Sequence, residues 1–284
     1  PWASSMVTVS TMARSSSSRD ISFDTDFGPA RIRWDGPRAT LFLGDVESSA
    51  VDTSDPTYLE FEYMQHMDAV VSSLWGPQDR FRALHVGGAA CALACAWSSS
   101  HPQSRHVAVE VDRLLAEQVR EHFPIPGAPQ VKIRVGDGRA VLDGTREGSF
   151  DVIVRDAFAS GMTPDHLRTV ECADQVRRAL TASGVYLVNC AHGGPANARQ
   201  DVAALQDVFP FVASIQDPKV GRGGRRGNVV ALASAADVVD VDQIDRALRM
   251  LALPARITRP AELTRWVAGT PTLTDAQVGY PQAD

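Results

Sequence analysis

Three acids and a pair of glycines could carry chemistry in this sequence. Gly87-Gly88 follows the apolar run 81–86 and precedes a small, apolar stretch at 89–97. Glycines between a strand and a helix let backbone N–H groups come close to a ligand. Glu110 closes the next apolar run, about twenty residues past the turn, and its two carboxylate oxygens can accept from both hydroxyls of a ribose. Asp137 stands between Gly136 and Gly138. By its spacing alone Asp137 is a turn residue, although a carboxylate there could also accept from an adenine amino group. Asp156 follows the apolar run 150–154, where the carboxyl end of a strand is expected. Ligands of open α/β sheets sit at that edge. The pattern is that of a nucleoside-cofactor site. Asp112 stands at a helix start and reads as a cap rather than a ligand.

The elements that must hold these residues follow from the patterning. Strands are expected at 81–86, 106–111, 131–135, 150–154 and 184–189, and helices at 89–97, 113–122, 139–142, 164–180 and 196–209. The 164–180 helix is expected in one or two pieces, capped by Thr163. Such alternation predicts a parallel sheet with helices on both faces. Residues 211–216 and 228–233 are also strand-like, and the glycine-rich link between them is too short for a helix. They should therefore pair antiparallel. Helices are expected at 240–253 and 261–267, then an irregular tail. Upstream, 30–34 and 39–43 flank Asp35-Gly36 and predict a hairpin. A polar loop is expected at 47–55, and a helix over 57–74 opened by Asp55-Pro56. The expected organisation is a flexible leader at 1–20, a small β-rich region with a helix at 21–76, and a Rossmann-like domain at 77–284. The fold class is α/β: a doubly wound, mostly parallel sheet ending in an antiparallel hairpin.

Composition narrows the function classes. The chain has 284 residues, 44% of them hydrophobic, and a net charge of −6, so no nucleic-acid footprint is expected. Its four cysteines include no CxxC pair, and Cys91 and Cys95 read as packing residues. No metal site is expected, and a reducing cytoplasm fits best. No apolar run reaches the roughly 18–20 residues of a membrane span, and the opening stretch does not read as a secretion signal. Tyr63 is either a pocket wall or a core aromatic. His66, His85 and His192 look isolated, with core or surface roles, although His192 could border the pocket at the sheet edge. Arg222, Arg225 and Arg226 read as a solvated hairpin tip.

A parallel sheet finished by an antiparallel hairpin is the arrangement of class I S-adenosylmethionine-dependent methyltransferases. Within that group the chain resembles the spermidine synthase family, the polyamine aminopropyltransferases. The motifs LHVGG, VAVEVD, GDGRA, FDVIVRDAF, GNVVALAS and PTLTD match the family's landmarks in order and spacing, between about 48 and 275. The resemblance implies S-adenosylmethionine or its decarboxylated form as donor, with Gly87, Gly88, Ala89, Glu110, Val111, Asp137 and Gly138 around it. It makes Asp156 the acid that takes or orients the proton of an attacking amine, puts Tyr63 and Ser48 in the substrate pocket, and implies a homodimer without a metal. Ala89 stands where the family has a third glycine, so the turn is expected to keep residue 89 at negative φ. Arg155 would weaken Asp156 as a base if it faced it, but adjacent strand residues point to opposite sides, so that contact is not required. Ser48, Tyr63-Met64-Gln65 and Ala157-Phe158-Ala159 depart from the residues that hold a polyamine. Aminopropyl transfer to an amine is the leading reading. Methyl transfer to another small molecule is its rival, and a non-catalytic adenosyl-binding or dimer-forming module is a third possibility.

Overall fold

The computed structural model describes residues 19–159, 161–217, 219–220, 225–236 and 239–281. The expected leader, up to residue 18, and Arg222 lie outside the described residues.

The chain opens on a four-stranded antiparallel meander of β1 (Arg19–Thr25), β2 (Gly28–Asp35), β3 (Arg38–Leu43) and β4 (Val46–Asp52). The expected hairpin is β2–β3, turning between Asp35 and Arg38. β4 replaces the polar loop expected at 47–55. Few of its residues are apolar, and its order comes from pairing with β3. The sheet is seated on the rest of the molecule. Ile32, Ala39 and Leu41 pack with Leu115, Val119 and Phe123, and the Asp26 N–H donates to Asp112 at 3.1 Å.

α1 (Glu62–Leu74) starts five residues later than expected. Asp55 does not cap it. Its carboxylate accepts from the Thr57 N–H and hydroxyl in a local turn, so the chain enters the helix only after Phe61.

The main body alternates β5 (Arg82–Val86), α2 (Ala92–Ser100), β6 (Arg105–Glu110), α3 (Arg113–His122), β7 (Val131–Val135), α4 (Gly138–Asp143), β8 (Phe150–Arg155), α5 (Val170–Ala179), β9 (Leu180–His192) and α6 (Ala198–Val208). The chain ends with β10 (Phe211–Gln216), β11 (Gly227–Ser234), α7 (Val241–Arg249), β12 (Arg256–Thr258), α8 (Pro260–Val267) and α9 (Asp275–Val278). The eight-stranded order is β12-β10-β11-β9-β8-β5-β6-β7. β7, β6, β5, β8 and β9 are parallel neighbours, and β11, β10 and β12 close the sheet antiparallel. This is the expected class.

Three local expectations change. α2 begins at residue 92, not 89, because residues 87–91 form the turn. Thr163 caps nothing: residues 165–167 make a single 3-10 turn, and Thr169 caps α5 by accepting from the Cys172 N–H. The irregular tail holds α9, closed by a capping box between Thr274 and Gln277.

Each central strand feeds two cores. Leu84, Val86 and Ile153 pack with α5 and α6, whereas Ala83, Val152, Val154 and Leu187 pack with α1, α2 and α7. Arg155 lies on the first side, away from Asp156. Its guanidinium is buried and meets Asp201 at 2.5 Å and the Leu167 carbonyl at 2.9 Å. Arg168 also reaches Asp201, at 3.1 Å. His85 is not isolated. Its Nε2 lies 3.2 Å from His106 Nδ1, among Phe81 and Trp97.

Two outcomes follow from these buried charges and rings. Asp201→Ala should destabilise the protein by about 3–5 kcal/mol in urea denaturation, because Arg155 is left buried without its partner. Burial also lowers the histidine pKa values, His85 to about 3 and His66 to about 4, with His106 well below the usual range. In the unfolded chain these rings titrate near 6.5, so the unfolded state binds more protons below that pH. Stability should therefore be full above about pH 6.5 and fall as pH drops toward 3. Replacing His106 by Leu should flatten that decline in melts recorded across the window.

Candidate active site

Backbone hydrogen bonds stitch the turns after β5, β6, β7 and β8 into one edge. The Gly87 N–H donates to Val109 O at 3.1 Å, the Asp156 N–H to Val86 O at 2.8 Å, and the Gly136 N–H to Glu110 O at 2.9 Å. Gly87 has φ +91°, and a Cβ there would sit 2.2 Å from the Asp156 carbonyl oxygen. Only glycine fits that contact. A Cβ on Gly138 would meet Val86 Cγ1 at 2.4 Å, so the turn carrying Asp137 is seated against the end of β5. Glu110, Asp137 and Asp156 thus stand along the same carboxyl edge.

Glu110 holds the glycine turn. Its Oε2 accepts from the Ala89 N–H at 3.0 Å and its Oε1 from the Asp112 N–H at 3.1 Å. Burial raises its pKa, and the backbone N–H groups of residues 112, 89 and 88 oppose that rise. Ala89 does not keep the negative φ that was expected: it lies at +39°, with Cys91 at +58°. A left-handed non-glycine residue costs on the order of 1–2 kcal/mol. The Ala89 bond to Glu110 helps keep the turn in that shape. Asp112 is the N-cap of α3, as expected, accepting from the Leu115 N–H at 2.8 Å. Val111, just after Glu110, is 53% exposed, an apolar surface beside the edge.

Asp137 caps α4 through Oδ1, which accepts from the Ala140 N–H at 2.9 Å. Its Oδ2 lies 2.9 Å from His166 Nε2, and the His166 ring stacks on Tyr280 at 5.6 Å. His166 lies in the 3-10 turn and Tyr280 two residues after α9, and no local pattern marked either of them.

Asp156 is the most enclosed of the three. Tyr63 of α1 donates its hydroxyl to Oδ2 at 2.8 Å, and Asn189 of β9 donates its amide to Oδ1 at 2.8 Å. Asn228 of β11 in turn donates to Asn189 Oδ1 at 2.9 Å. Burial pushes the Asp156 pKa up, and the bonds from Asn189 and Tyr63 pull it back. Burial, then the Asp156 charge, drive the Tyr63 phenol far above its ordinary value, so it stays a donor. Tyr63 packs against the α1 side of the core and also bonds Asp156, so both readings of it stand. Asn189 and Asn228 were missed. The available signal was one amide inside each of two otherwise apolar strands. Ser48 is set apart on β4, where its hydroxyl donates to Val46 O at 3.1 Å, and none of its hydrogen bonds reaches the acids or Tyr63. His192 accepts from the Ala198 N–H and packs on Trp266.

A crevice of about 290 Å³, counted out to its open mouth, lies among Met64, His85, Gly87, Gly88, Val154 and Asp156. A wider hollow, about 900 Å³ counted the same way, lies at the opposite edge of the sheet, beside Arg80, Arg82, Arg105 and Asp151. It is remote from the three acids, so the narrower crevice is the candidate. Among the described residues no group of three His, Cys, Asp or Glu could hold a metal ion, and no helix is long and apolar enough to cross a membrane. The four cysteines are free, and burial pushes the Cys95 thiol up to about 12, in keeping with packing roles.

No family model matches the sequence. Among solved structures, a probable spermidine synthase from Corynebacterium glutamicum is 32% identical, covers 89% of this chain and 95% of its own, and superposes with a TM-score of 0.82. The chain belongs to the spermidine synthase family. A spermidine synthase in complex with the transition-state analogue AdoDATO shares the fold, with a TM-score of 0.55 at 17% identity, covering 92% of this chain and 87% of its own. Among curated relatives, the polyamine aminopropyltransferase of Vibrio vulnificus is 26% identical over 110 residues. That match covers 38% of this chain and 37% of the relative. The class I methyltransferase-like fold expected from the motifs is the one observed.

Gly87→Ala tests the stitched edge. The added methyl collides with the Asp156 carbonyl at an unfavourable φ. The variant should lose more than about 2 kcal/mol of stability in urea denaturation, because backbone strain and overpacking add. A neutral result would mean that the turn is not held as described.

Proposed function

We propose that the protein transfers an aminopropyl group from decarboxylated S-adenosylmethionine to a small amine. The observation that carries this reading is the Asp156 carboxylate, clamped between Tyr63 and Asn189 beside the glycine turn. Glu110 keeps lone pairs beyond those used by the Ala89 and Asp112 N–H groups, and these would take the ribose hydroxyls. Asp137 would take the adenine amino group, with His166 steadying it. Val111 would lie against the base. In the reaction the amine lone pair forms the new N–C bond while the C–S bond breaks. Its electrons neutralise the sulfonium and release the thioether methylthioadenosine. An amine attacks only when deprotonated, so Asp156 would orient the nucleophile and accept its proton. The sulfonium already activates the carbon, and the protein's remaining task is alignment. Tyr63 and Asn189 supply it by fixing the carboxylate.

A specific observation favours one second reading. Among the described residues Asp156 is the only acid lining the crevice, so little there would hold a polycation. Methyl transfer from S-adenosylmethionine to another small nucleophile suits the same site. The common edge of the three acids supports a transferase over a non-catalytic module. We assign a homodimer from the family resemblance, and a reducing cytoplasm suits four free thiols.

Calorimetric titration with S-adenosylmethionine, its decarboxylated form and methylthioadenosine separates the two transferase readings. Tighter binding of the decarboxylated donor is expected, and preference for the carboxylated one would replace aminopropyl by methyl transfer. Asp137→Ala should weaken nucleoside binding and also cost about 1 kcal/mol as a lost cap, which a parallel melt measures. Asp156→Asn should spare nucleoside binding and slow transfer by about 10²–10⁴-fold. Normal turnover in that variant would remove Asp156 from the mechanism.

A further inference from the structure

His85 sits at the inner end of the crevice, on the same side of the sheet as Asp156. It pairs with Val154 across β5 and β8, two residues before Asp156, which is about 6–7 Å of strand rise. Its ring polarity is fixed from behind. The Ser104 hydroxyl donates to the His101 carbonyl at 2.7 Å. Its proton is thereby spent, so at 2.7 Å from His106 Nε2 it must accept that ring's N–H. A neutral imidazole has one N–H, so His106 Nδ1 is an acceptor, and His85 Nε2–H donates to it at 3.2 Å. His85 Nδ1 is then a bare lone pair, and none of the described hydrogen bonds uses it. Burial keeps both rings neutral.

The crevice therefore offers two different acceptors, the Asp156 carboxylate and the uncharged His85 nitrogen. Among the described residues, the rest of its lining, including Met64, Ala92 and Leu93, brings no second carboxylate. It is also narrow, with about 20 Å³ of inner space. One ammonium can lie against Asp156. A second, pushed inward, would lose its hydration without a counter-charge, which is costly. A hydroxyl in that place would lose little and would gain a hydrogen bond.

We propose that His85 Nδ1 is a specificity-determining acceptor that selects compact amines with an uncharged second donor, such as short amino alcohols, over diamines with two ammonium groups. This inference rests on the transferase reading of the site. Unlike Asp156, His85 takes no part in the bond changes.

The test compares 3-amino-1-propanol with 1,3-diaminopropane, near-isosteres that differ in hydroxyl against ammonium. Methylthioadenosine release from the decarboxylated donor is followed with the intact protein. The amino alcohol should win by about tenfold or more in kcat/KM, and equal rates or the reverse order would overturn the proposal. His85→Leu should raise KM for the amino alcohol about tenfold with kcat and methylthioadenosine affinity unchanged. His85→Gln, which keeps an uncharged acceptor, should restore most of the preference. Independently, long-range ¹H–¹⁵N spectra should show His85 protonated at Nε2 and bare at Nδ1. Adding 3-amino-1-propanol with methylthioadenosine should shift the Nδ1 resonance. The opposite tautomer, or an unmoved resonance, also overturns the proposal. If no acceptor is turned over with either donor, the transferase reading fails, and the spectra still decide whether His85 binds the amino alcohol.

Discussion

A carboxylate taken out of water must be met on both oxygens, and Asp156 imposes that condition on the whole molecule. Its two donors come from far apart in the chain. Tyr63 rises from α1, ahead of the main sheet, and Asn189 stands on β9, itself braced by Asn228 of β11. The parallel half of the sheet, its antiparallel finish and the first helix must all be in register for one side chain to be satisfied. Such a fully partnered polar cluster specifies one arrangement of the core, because any slip leaves a buried charge exposed to an apolar neighbour.

The residue before it poses the opposite problem. Arg155 is a buried cation next in sequence to a buried anion, yet the two do not neutralise each other. The strand sends Arg155 to the α5–α6 side, where Asp201 and the Leu167 carbonyl receive it. The sheet thus separates a structural ion pair from a carboxylate held by two uncharged donors. Had the pair formed within β8, Asp156 would be a weaker base.

Around that carboxylate the proposed nucleoside edge follows the family resemblance more closely than the proposed acceptor side does. Ala89 replaces a glycine and takes the left-handed conformation nonetheless, held by Glu110. By the family resemblance, Met64, Ala157, Phe158 and Ala159 would take the places of groups that hold a polyamine. His85 adds a neutral, directional acceptor whose orientation is set by His106 and Ser104 behind it. On the proposed transferase reading, donor recognition would rest on backbone turns and acceptor recognition on a few side chains between α1 and the sheet.

Periodicity was enough to read the alternating strands and helices, the antiparallel ending and the edge at which Gly87, Glu110, Asp137 and Asp156 would gather, because those depend on local patterning and strand order. It was not enough for β4, whose polar residues become a strand only by pairing with β3, or for the start of α1, where Asp55 spends its carboxylate on a local turn. The partners of the site were equally hidden. Tyr63 was already a pocket candidate, but Asn189, His166 and the His85–His106–Ser104 chain reach their places from 2 to 33 residues away in sequence. Side-chain hydrogen bonds across strands leave no periodic trace, so only the packed structure decides which polar residue meets which.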